Sequence, residues 1–391
     1  MDHRILRHVE RKMGKRIVLS INTTWNIYNF RMGLVEALSS MGHEVCIVAP
    51  NDEYAALLES KGYKCHHINM QNKGTNPFSD LRLLFSYYRL YQKIKPDYIL
   101  HYTIKPNVYG TLAASFQNIP CINNIAGLGT LFVKQGVTTR IAKTLYRLSQ
   151  HRAHWIFFQN QEDRHDFIKG RLVPQHGCSV LPGSGVDTHK FAPRTRDKKS
   201  GEDRFVFLLI ARLLWEKGIG EYALAARHIK EKYPNAEFQL LGFIDTNNKK
   251  AVSEEDISAW TREGLINYLG KSDDVREQIA DADCVVLPSF YREGTPRSLL
   301  EAASMGKPII TTNTVGCKDV VTSELNGYLC EPKSVSSLVE AMTKILSLNE
   351  TEIGKMGEES RKKILKEYDE RIVINEYLAS IGSRARESRS E

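Results

Sequence analysis

Two α/β domains, each built on a doubly wound parallel sheet, are the fold that this sequence predicts. The chain has 391 residues, of which 42% are apolar, and this length is enough for two domains with separate cores. Short apolar runs alternate with amphipathic segments along both halves, which is the pattern of βαβ units. Residues 179–204, between the halves, turn rich in proline, glycine and charge, so we expect the connection between the domains there.

The first half begins with a βαβ unit. KRIVLSI (15–21) predicts a buried strand, residues 30–43 carry apolar side chains at helical spacing, and EVCIVAP (44–50) predicts the next strand. The same alternation then predicts helices near 52–61, 78–94, 107–117 and 138–153, and the strands DYILHYT, PCINNIA and WIFFQN.

The second half repeats this logic. Its predicted strands are RFVFLLIAR, AEFQLLGF, LINYLG, DCVVLPS and KPIITT, with helices near 217–233, 273–280 and 296–305. An amphipathic stretch near 355–382 follows the last strand, and we expect it to cross back to the first domain. The predicted organisation is a basic segment 1–14, a first domain 15–185, a linker 186–204, a second domain 205–365, and a C-terminal helix with a polar tail at 366–391.

The charge indicates an anionic partner. The net charge is +8 and the pI is near 9.0. Basic residues interleave with leucine and aromatic residues in 4–16, 81–95 and 138–155, a pattern that suits helices lying on an anionic membrane surface. A helix with one face in the core and basic residues in water gives the same pattern. No apolar run reaches the ~18–20 residues of a membrane span and no secretion signal is present, so we expect a cytoplasmic protein on the inner face of the membrane.

Several other classes lack their sequence signatures. The seven cysteines are scattered without a CxxC pair, and the histidines show no HExxH spacing, so we expect structural cysteines and no metal site. No GxGxxG follows the first strand, which disfavours a nicotinamide dehydrogenase. No known nucleic-acid-binding module is recognisable, so we expect no nucleic acid partner.

The strongest chemical signal is REGTPRSLLEAASMGKPIITT (292–312), which follows the strand DCVVLPS. Open α/β sheets bind ligands at the carboxyl ends of their strands. Thr295 is the expected N-cap and Pro296 the first helical residue, so the first turn should offer backbone N–H groups to a diphosphate. Glu293 and Glu301 are each suited to accept hydrogen bonds from hydroxyls, one from a sugar and one from a ribose. An arbitrary pair of carboxylates at this spacing would more often lie on the surface.

The E-x7-E pattern of Glu293 and Glu301 resembles the donor-site signature of family-four retaining glycosyltransferases. IARLLWEKGI (210–219), INYLGKSDDV (266–275), DADCVVLPS (281–289) and VLPGSGVD (180–187) agree with that family in order and spacing. The resemblance covers nearly the whole chain after residue 14. It implies a GT-B fold, with two Rossmann-like domains facing each other across a cleft, donor bound by the second domain and acceptor by the first.

The resemblance also implies roles for individual residues. Arg212 and Lys217 would contact the donor diphosphate, Glu293 the transferred sugar, and Glu301 the ribose. Neutralisation of the leaving diphosphate by two fixed cations would need no metal or other cofactor. Retention would follow from front-face attack, since no residue is an obvious covalent nucleophile. The remaining donor-binding positions would be the backbone around the phosphates and the segment beside the base: Gly294, Thr295, Pro296, Arg297, Ser298, Leu269, Gly270 and Lys271.

The pair Asp281 and Asp283 offers an alternative reading as a metal-binding DxD. It precedes its strand, at the amino end of the sheet, whereas ligands gather at the carboxyl end. We therefore reject it.

Acceptor contacts are expected in the first domain. Many family members carry a Gly-Gly pair after the first strand, whereas this chain has Thr23, Thr24, Trp25 and Asn26, so we expect this loop to face the acceptor. Packing of Trp25 and Tyr28 in the core is the alternative.

Family members outside the branch named below often carry a histidine near the transferred sugar at the end of the strand DYILHYT, and the resemblance aligns that position with Tyr102, next to His101. Since alternate strand residues face opposite sides, the sequence leaves open which of the two points toward the sugar. We take His101 as a catalytic candidate. Lys105 is either an acceptor-diphosphate ligand or a loop charge, and Gly129 completes the set.

These loops are similar to a branch of the family that builds capsular polysaccharide, O-antigen and glycan-lipid intermediates and includes N-acetylgalactosaminyl transferases. The branch implies a UDP-sugar donor, with GDP as an alternative carrier, and a saccharide on a polyprenyl diphosphate as acceptor. The expected function is transfer of an N-acetylhexosamine or hexose between them. A GT-B sugar-nucleotide epimerase and a non-catalytic nucleotide- or nucleic-acid-binding protein are the alternatives.

Overall fold

The chain folds into two compact units, as seen in a computed structural model that describes residues 14–71, 76–127, 136–194, 204–246 and 248–382. The first unit comprises the residues up to Ser184 together with those from Arg371 onward, and the second comprises Gly185–Glu370. The two units are described separately below.

A seven-stranded parallel sheet forms the centre of the first unit, in the order β3-β2-β1-β4-β5-β6-β7. The order reverses direction beside β1, as in doubly wound sheets. Its strands are β1 (Arg16–Ser20), β2 (Glu44–Ala49), β3 (Lys64–His67), β4 (Tyr98–Tyr102), β5 (Cys121–Ile125), β6 (Trp155–Phe158) and β7 (Cys178–Val180). The inner strands are almost continuously buried, because helices cover both faces.

Helices of the first unit follow the strands in alternation. The longest, α4, begins where the Asn76 side chain accepts a hydrogen bond from the Phe78 amide and Pro77 occupies the first turn. A π-helical turn, Pro106–Gly110, precedes α5. The helices are α1 (Thr24–Phe30), α2 (Met32–Ser40), α3 (Glu53–Ser60), α4 (Pro77–Ile94), α5 (Thr111–Ser115), α6 (Val137–Gln150) and α7 (Gln161–Lys169).

The second unit contains a six-stranded parallel sheet in the order β10-β9-β8-β11-β12-β13. Its strands are β8 (Phe205–Ile210), β9 (Ala236–Leu241), β10 (Asn267–Tyr268), β11 (Cys284–Leu287), β12 (Ile309–Thr312) and β13 (Gly327–Cys330). Its helices are α8 (Ile219–Lys232), α9 (Glu254–Arg262), α10 (Arg276–Asp281), α11 (Arg297–Ser304), α12 (Val335–Leu346) and α13 (Glu350–Glu367). One continuous apolar core joins this sheet to its helices. The predicted fold of two doubly wound parallel α/β sheets is thus confirmed.

The chain passes between the units at Ser184–Gly185 and again at Glu370–Arg371. The amide of Val186 donates to Tyr368 O at 2.9 Å and the amide of Glu370 donates to Val186 O at 3.0 Å, so the two crossing segments run side by side. Residues 186–194, which the sequence assigned to a linker, pack within the second unit, where Ser304 Oγ donates to Phe191 O at 2.8 Å.

The last helix, α14 (Glu370–Gly382), returns to the first unit. Its residues Val373, Tyr377 and Ile381 are buried in the core around β1 and β2. Across the described ranges, no helix combines the length and the hydropathy that crossing a bilayer requires.

Candidate functional site

The E-x7-E segment lies at the carboxyl end of β11, next to β8 in the sheet. The carboxylate of Glu293 forms an ion pair with Lys217 Nζ and accepts a hydrogen bond from Ser289 Oγ at 2.9 Å. Only 13% of the Lys217 side chain and 12% of the Glu293 side chain are exposed. The structure thus brings together two predicted site residues that are 76 positions apart in the chain.

Lys217 owes its position to a tight approach of two backbone segments. It ends the 3₁₀ turn Trp215–Lys217, and Gly218 follows in a left-handed conformation with φ 78°. A Cβ atom on Gly218 would lie 2.1 Å from Pro288 O, so only glycine fits there. This contact holds the loop after β8 against the end of β11.

The loop that carries Glu293 is held in a similar way by Gly316, which sequence reasoning missed. Gly316 has φ 82°, and a Cβ atom on it would lie 1.6 Å from Gly294 O and 2.7 Å from Glu293 O. A glycine within a loop is a weak sequence signal, because this close approach depends on two segments that are distant in the chain.

Helix α11 starts one residue later than expected. Pro296, with ψ 118°, is the N-cap and Arg297 the first helical residue, so the prediction of Thr295 as N-cap and Pro296 as first helical residue was wrong. The reason is the extended backbone of Pro296. No N-cap side chain bonds to the first turn, since proline has no polar side-chain atom. Ser298 lies in this turn and is partly buried.

Glu301 lies on α11 and is buried, with 8% of the residue exposed. Arg297 Nε donates to Glu301 Oε1 at 2.9 Å, and Arg297 Nη1 donates to Gly185 O. Burial raises the pKa of Glu301, while the neighbouring Arg297 guanidinium opposes that rise. Arg297 therefore joins the carboxylate to the segment where the chain enters the second unit.

The other predicted donor residues lie at neighbouring strand ends. Arg212 follows β8 and is exposed. The segment Leu269–Lys271 follows β10, where Gly270 has φ 76° and its carbonyl accepts from the Gly242 amide at 2.8 Å. Lys271 is exposed. All these residues line the carboxyl edge of one sheet, the edge where doubly wound folds bind ligands.

The rejected Asp281/Asp283 pair takes part in structural contacts. Arg204 Nη2 lies 3.2 Å from Asp281 Oδ1, and the Val206 amide donates to Asp283 Oδ2 at 2.8 Å. Both carboxylates lie at the amino end of their sheet. Across the described ranges, no cluster of three or more histidine, cysteine or acidic side chains has metal-binding geometry.

In the first unit, His101 is fully buried rather than open to a substrate. Its Nε2 lies 2.9 Å from Tyr91 Oη and its Nδ1 lies 3.0 Å from Asn123 Oδ1, with Thr111 Oγ1 at 3.2 Å. Burial lowers the pKa of His101 to about 3. The expectation that His101 contacts the sugar therefore needs correction, because alternation along β4 turns its ring into the layer of α4 and α5.

Tyr102 faces the opposite side of the sheet from His101. It is 2% exposed, its ring centroid lies 6.1 Å from that of Tyr377, and the Arg31 guanidinium lies 4.6 Å from its ring. The remaining acceptor candidates differ in exposure. Thr24 is buried and donates its amide to Asp52 Oδ2 at 2.8 Å, whereas Trp25 is 38% exposed.

Asn26 is partly buried, and Gly129 lies outside the described residues. Lys105 Nζ forms an ion pair with Asp80 Oδ1 at 2.8 Å, and Tyr109 Oη donates to Asp80 Oδ2 at 2.8 Å. Lys105 also lies in the wall of a cavity, described next.

A cavity of about 800 Å³ opens in the first unit between α4 and the ends of β2 and β3. Its wall includes one histidine and four cations: His67, Arg82, Arg89, Lys93 and Lys105. We refer to it as the basic cavity. The residues of this cavity come from segments that are distant in the sequence. The basic stripe of α4 was the only sequence signal that pointed to the cavity.

Two family models match separate parts of the chain. Residues 16–160 match "Glycosyl transferase 4-like" and residues 193–363 match "Glycosyl transferases group 1". These segments correspond to the two parallel-sheet units. The class that the fold and the matches define is the GT-B glycosyltransferases.

Curated relatives and solved structures resemble the chain over most of its length. The N,N'-diacetylbacillosaminyl-diphospho-undecaprenol alpha-1,3-N-acetylgalactosaminyltransferase of Campylobacter jejuni is 29% identical over 90% of this chain and 94% of its own. The UDP-Gal:alpha-D-GlcNAc-diphosphoundecaprenol alpha-1,3-galactosyltransferase of Escherichia coli is 29% identical over 68% and 70%. The structure of Anabaena Alr3699/HepE with UDP-glucose has a TM-score of 0.76 at 17% identity, over 94% of this chain and 100% of that one.

The chain therefore belongs to the group 1 and 4-like glycosyltransferases, with the 4-like domain first and the group 1 domain second. This confirms the family and the enzyme class that the E-x7-E segment predicted.

Proposed function

We propose that this enzyme transfers an N-acetylhexosamine or hexose from a UDP-sugar to a saccharide on a polyprenyl diphosphate, in the synthesis of a bacterial surface polysaccharide or glycan. The observation that carries the donor half is the Lys217–Glu293 pair at the carboxyl edge of the second sheet, beside the first turn of α11. The two curated relatives named above support the acceptor half, since both names include a sugar on diphospho-undecaprenol.

Each donor group has a partner of suitable chemistry at this edge. The first-turn amides of α11 and the exposed Arg212 suit a diphosphate. Lys217 has three N–H donors, so it can hold Glu293 and a phosphate oxygen together. Glu293 suits a sugar hydroxyl and Glu301 a ribose hydroxyl, while Leu269–Lys271 suit the base.

The proposed reaction proceeds with retention and without a metal. The bond between the anomeric carbon and the β-phosphate oxygen breaks, and its electron pair goes to the diphosphate. The acceptor hydroxyl oxygen bonds to the same face of that carbon, and its proton goes to the leaving phosphate oxygen. Lys217 and Arg212 would stabilise the charge that develops on the diphosphate, which is the role a metal has in other transferases.

The enzyme is proposed to work at the inner face of the cytoplasmic membrane. On α4, the exposed fractions of Phe78, Leu81 and Phe85 are 85%, 52% and 59%, and the exposed cations Arg82 and Arg89 lie between and after them. Apolar side chains flanked by basic ones suit an anionic bilayer surface.

Helix α6 carries a second surface with exposed apolar and basic side chains, which also suits contact with lipid. Ile141 is 55% exposed and Leu148 is 46% exposed, next to Arg140 and Arg147. Of the three basic stretches in the sequence, most of the N-terminal one lies outside the described residues. Such membrane-binding surfaces suit an enzyme with a lipid-linked acceptor, because the prenyl chain of that acceptor stays in the bilayer.

Release of UDP from a panel of UDP- and GDP-sugars, in EDTA, with and without a short-chain prenyl-diphosphate saccharide, tests the proposal. We expect release from one UDP-sugar that requires the acceptor. Turnover of donor alone would instead support the sugar-nucleotide epimerase reading or a hydrolase, and a requirement for divalent metal would contradict the proposed chemistry.

A further inference from the structure

Buried polar atoms without partners gather at one edge of the first unit. Among the described residues, eight buried side-chain nitrogen or oxygen atoms lack a hydrogen-bond partner, and five of them belong to Asn26, Arg31, Thr103 and Asn107. Asn26 and Arg31 follow β1, and Thr103 and Asn107 follow β4, its neighbour in the sheet. Folded proteins leave few such atoms, because each costs stability, so a cluster of them calls for a ligand.

Contacts link Arg31 to Asn107 through Tyr102, Tyr377 and Asn124, and the Tyr102 and Tyr377 ring centroids lie 6.1 Å apart. The Arg31 guanidinium lies 4.6 Å from the Tyr102 ring, which joins the junction of α1 and α2 to the last residue of β4. Asn107 Nδ2 donates to Asn124 O at 2.7 Å, and Asn124 Nδ2 donates to Tyr377 Oη at 3.0 Å. The cluster therefore spans the carboxyl ends of β1, β4 and β5.

Arg31 is the costliest member of the cluster. The residue is 7% exposed, its Nε and Nη1 have no hydrogen-bond partner, and within the part of the chain that the structure describes no carboxylate pairs with it. A guanidinium that is buried without a counter-charge or acceptors is strongly unfavourable. Its N–H groups would be satisfied by oxygen atoms of a ligand.

The backbone at Thr103 is a second unusual feature of the same edge. Thr103 has φ 68°, a left-handed conformation that a β-branched residue rarely adopts. Residues in such conformations are enriched at ligand-binding and active sites.

The donors and acceptors without partners match a sugar better than a phosphate. Arg31 offers donors, whereas Asn26 Oδ1 and Asn107 Oδ1 are acceptors, and the Thr103 hydroxyl can act as either. The orientation of the Asn107 amide is fixed by its bond to Asn124. Phosphate oxygens accept only and would leave the two amide oxygens unfilled, but sugar hydroxyl and acetamido groups both donate and accept.

The edge also offers an entrance and a stacking surface. Asn26 and Thr103 are partly exposed, and next to them Trp25 and Ile104 are 38% and 37% exposed. A pyranose could therefore reach Asn26 and Thr103 first and pack its apolar face on Trp25.

We propose that Asn26, Arg31, Thr103 and Asn107 form the subsite for the sugar of the lipid-linked acceptor, while the basic cavity holds its diphosphate; this rests on the proposed function. The loop after β4 serves both places, since Lys105, between Thr103 and Asn107, lies in the cavity wall. In the acceptor the sugar is bonded directly to the diphosphate, so the two subsites must adjoin.

Direct binding of two probes tests whether the sugar and the diphosphate of the acceptor occupy separate subsites. The probes are farnesyl diphosphate and the same molecule carrying N-acetylglucosamine on its diphosphate, titrated calorimetrically into the full chain. We expect the wild-type protein to bind the sugar-bearing probe at least tenfold more tightly. Equal or absent binding of the two probes would overturn the subsite.

Two variants test the sugar subsite, and a third variant, in the wall of the basic cavity, is the matched control. Arg31→Met should remove most of the preference for the sugar-bearing probe and leave affinity for farnesyl diphosphate unchanged. Thr103→Gly, which suits the left-handed backbone, should reduce the same preference by about threefold to tenfold, the size of one lost hydrogen bond. Arg89→Met, in the cavity wall, should weaken both probes equally.

Thermal unfolding without ligand separates this role from a structural one. Removing an unsatisfied group or backbone strain should leave the melting temperature equal or higher in both Arg31→Met and Thr103→Gly. A lower melting temperature in both variants with unchanged probe preference would show that the residues only support the fold. If the wild-type protein binds the sugar-bearing probe but no donor releases UDP, the proposed function fails and the subsite stands.

Discussion

Lys217 and Glu293 form an ion pair at the carboxyl edge of the second sheet, and the Ser289 hydroxyl donates to the same carboxylate at 2.9 Å. The two residues come from different strand ends, β8 and β11. Both side chains are mostly buried. The proposed transfer of a sugar from a diphosphate rests on this pre-positioned cation and carboxylate.

Removing the cation of this pair should impair the chemical step. Lys217→Ala is expected to lower kcat by roughly a hundredfold to a thousandfold, because the leaving diphosphate loses a fixed positive charge. Acceptor-dependent UDP release measures this effect. Lys344→Ala, which breaks an exposed helical ion pair with Glu340, is the matched control and should keep full activity. Similar losses in both variants would contradict the role of Lys217.

Replacing Glu301 should stabilise the enzyme and weaken donor binding. The pKa of Glu301 is raised by burial, so the folded state binds its proton more tightly than the unfolded state does. This contribution to stability is present below the unfolded pKa and is lost as pH rises through the folded pKa. Glu301→Gln should therefore unfold at higher urea concentration at pH 7, with a smaller gain at pH 4. Its KM for the UDP-sugar should rise about tenfold, and an unchanged KM would remove the ribose role.

His101 should affect stability in acid and leave no titration in the rate profile. Burial lowers its pKa to about 3, so the folded state excludes a proton that the unfolded state binds below about 6.5. Stability is then lost as pH falls from about 6.5 toward 3, and His101→Gln should make the unfolding free energy less pH-dependent there. The pH profile of kcat should keep its shape in this variant. A lost inflection near neutral pH would mean that His101 itself exchanges protons with the substrate.

Gly316 should be intolerant of any side chain. Gly316→Ala would place a Cβ atom 1.6 Å from Gly294 O, so the loop carrying Glu293 must move. We expect a lower melting temperature and a loss of activity of at least a hundredfold, since small misplacements of catalytic groups are costly. Gly354→Ala on α13, where a Cβ atom meets nothing within 4 Å, is the control and should be neutral or stabilising. Full activity of Gly316→Ala would contradict this view of the loop.

Helix α4 should bring the protein to anionic bilayers. Replacing both Phe78 and Phe85 by serine is expected to reduce co-sedimentation with vesicles of mixed phosphatidylglycerol and phosphatidylcholine by at least tenfold, through lost apolar insertion. Phe116→Ser, at another site that is 66% exposed, should bind like the wild-type protein. Equal binding of the wild-type protein to purely zwitterionic vesicles would exclude a role for the basic residues.

Local sequence patterns were enough to predict most strands of both sheets and the residues at the carboxyl edge of the second sheet. Strands such as β1, β8 and β11 are continuous apolar runs bounded by polar residues, and their carboxyl ends locate Lys217 and Glu293 without a structure. The short edge strand β3, Lys64–His67, has no buried residue and therefore no apolar pattern to detect. The N-cap of α11 was misplaced by one residue because local signals do not fix the backbone angles of proline.

The acceptor side was harder to predict because it depends on contacts between distant segments. Strand alternation showed that His101 and Tyr102 face opposite sides, but only packing decides which side is open to solvent. The basic cavity and the unsatisfied Arg31 combine residues from separate loops, and no spacing in the sequence brings them together.

The most direct test of the central claim is the fate of a ¹³C-labelled UDP-sugar incubated in EDTA with a prenyl-diphosphate saccharide. We predict that mass spectrometry finds one labelled sugar added to the lipid-linked saccharide, and that NMR shows the anomeric configuration of the donor preserved in the product. Label that remains on the nucleotide as an epimer, or that appears as free sugar with the acceptor unchanged, would contradict the account.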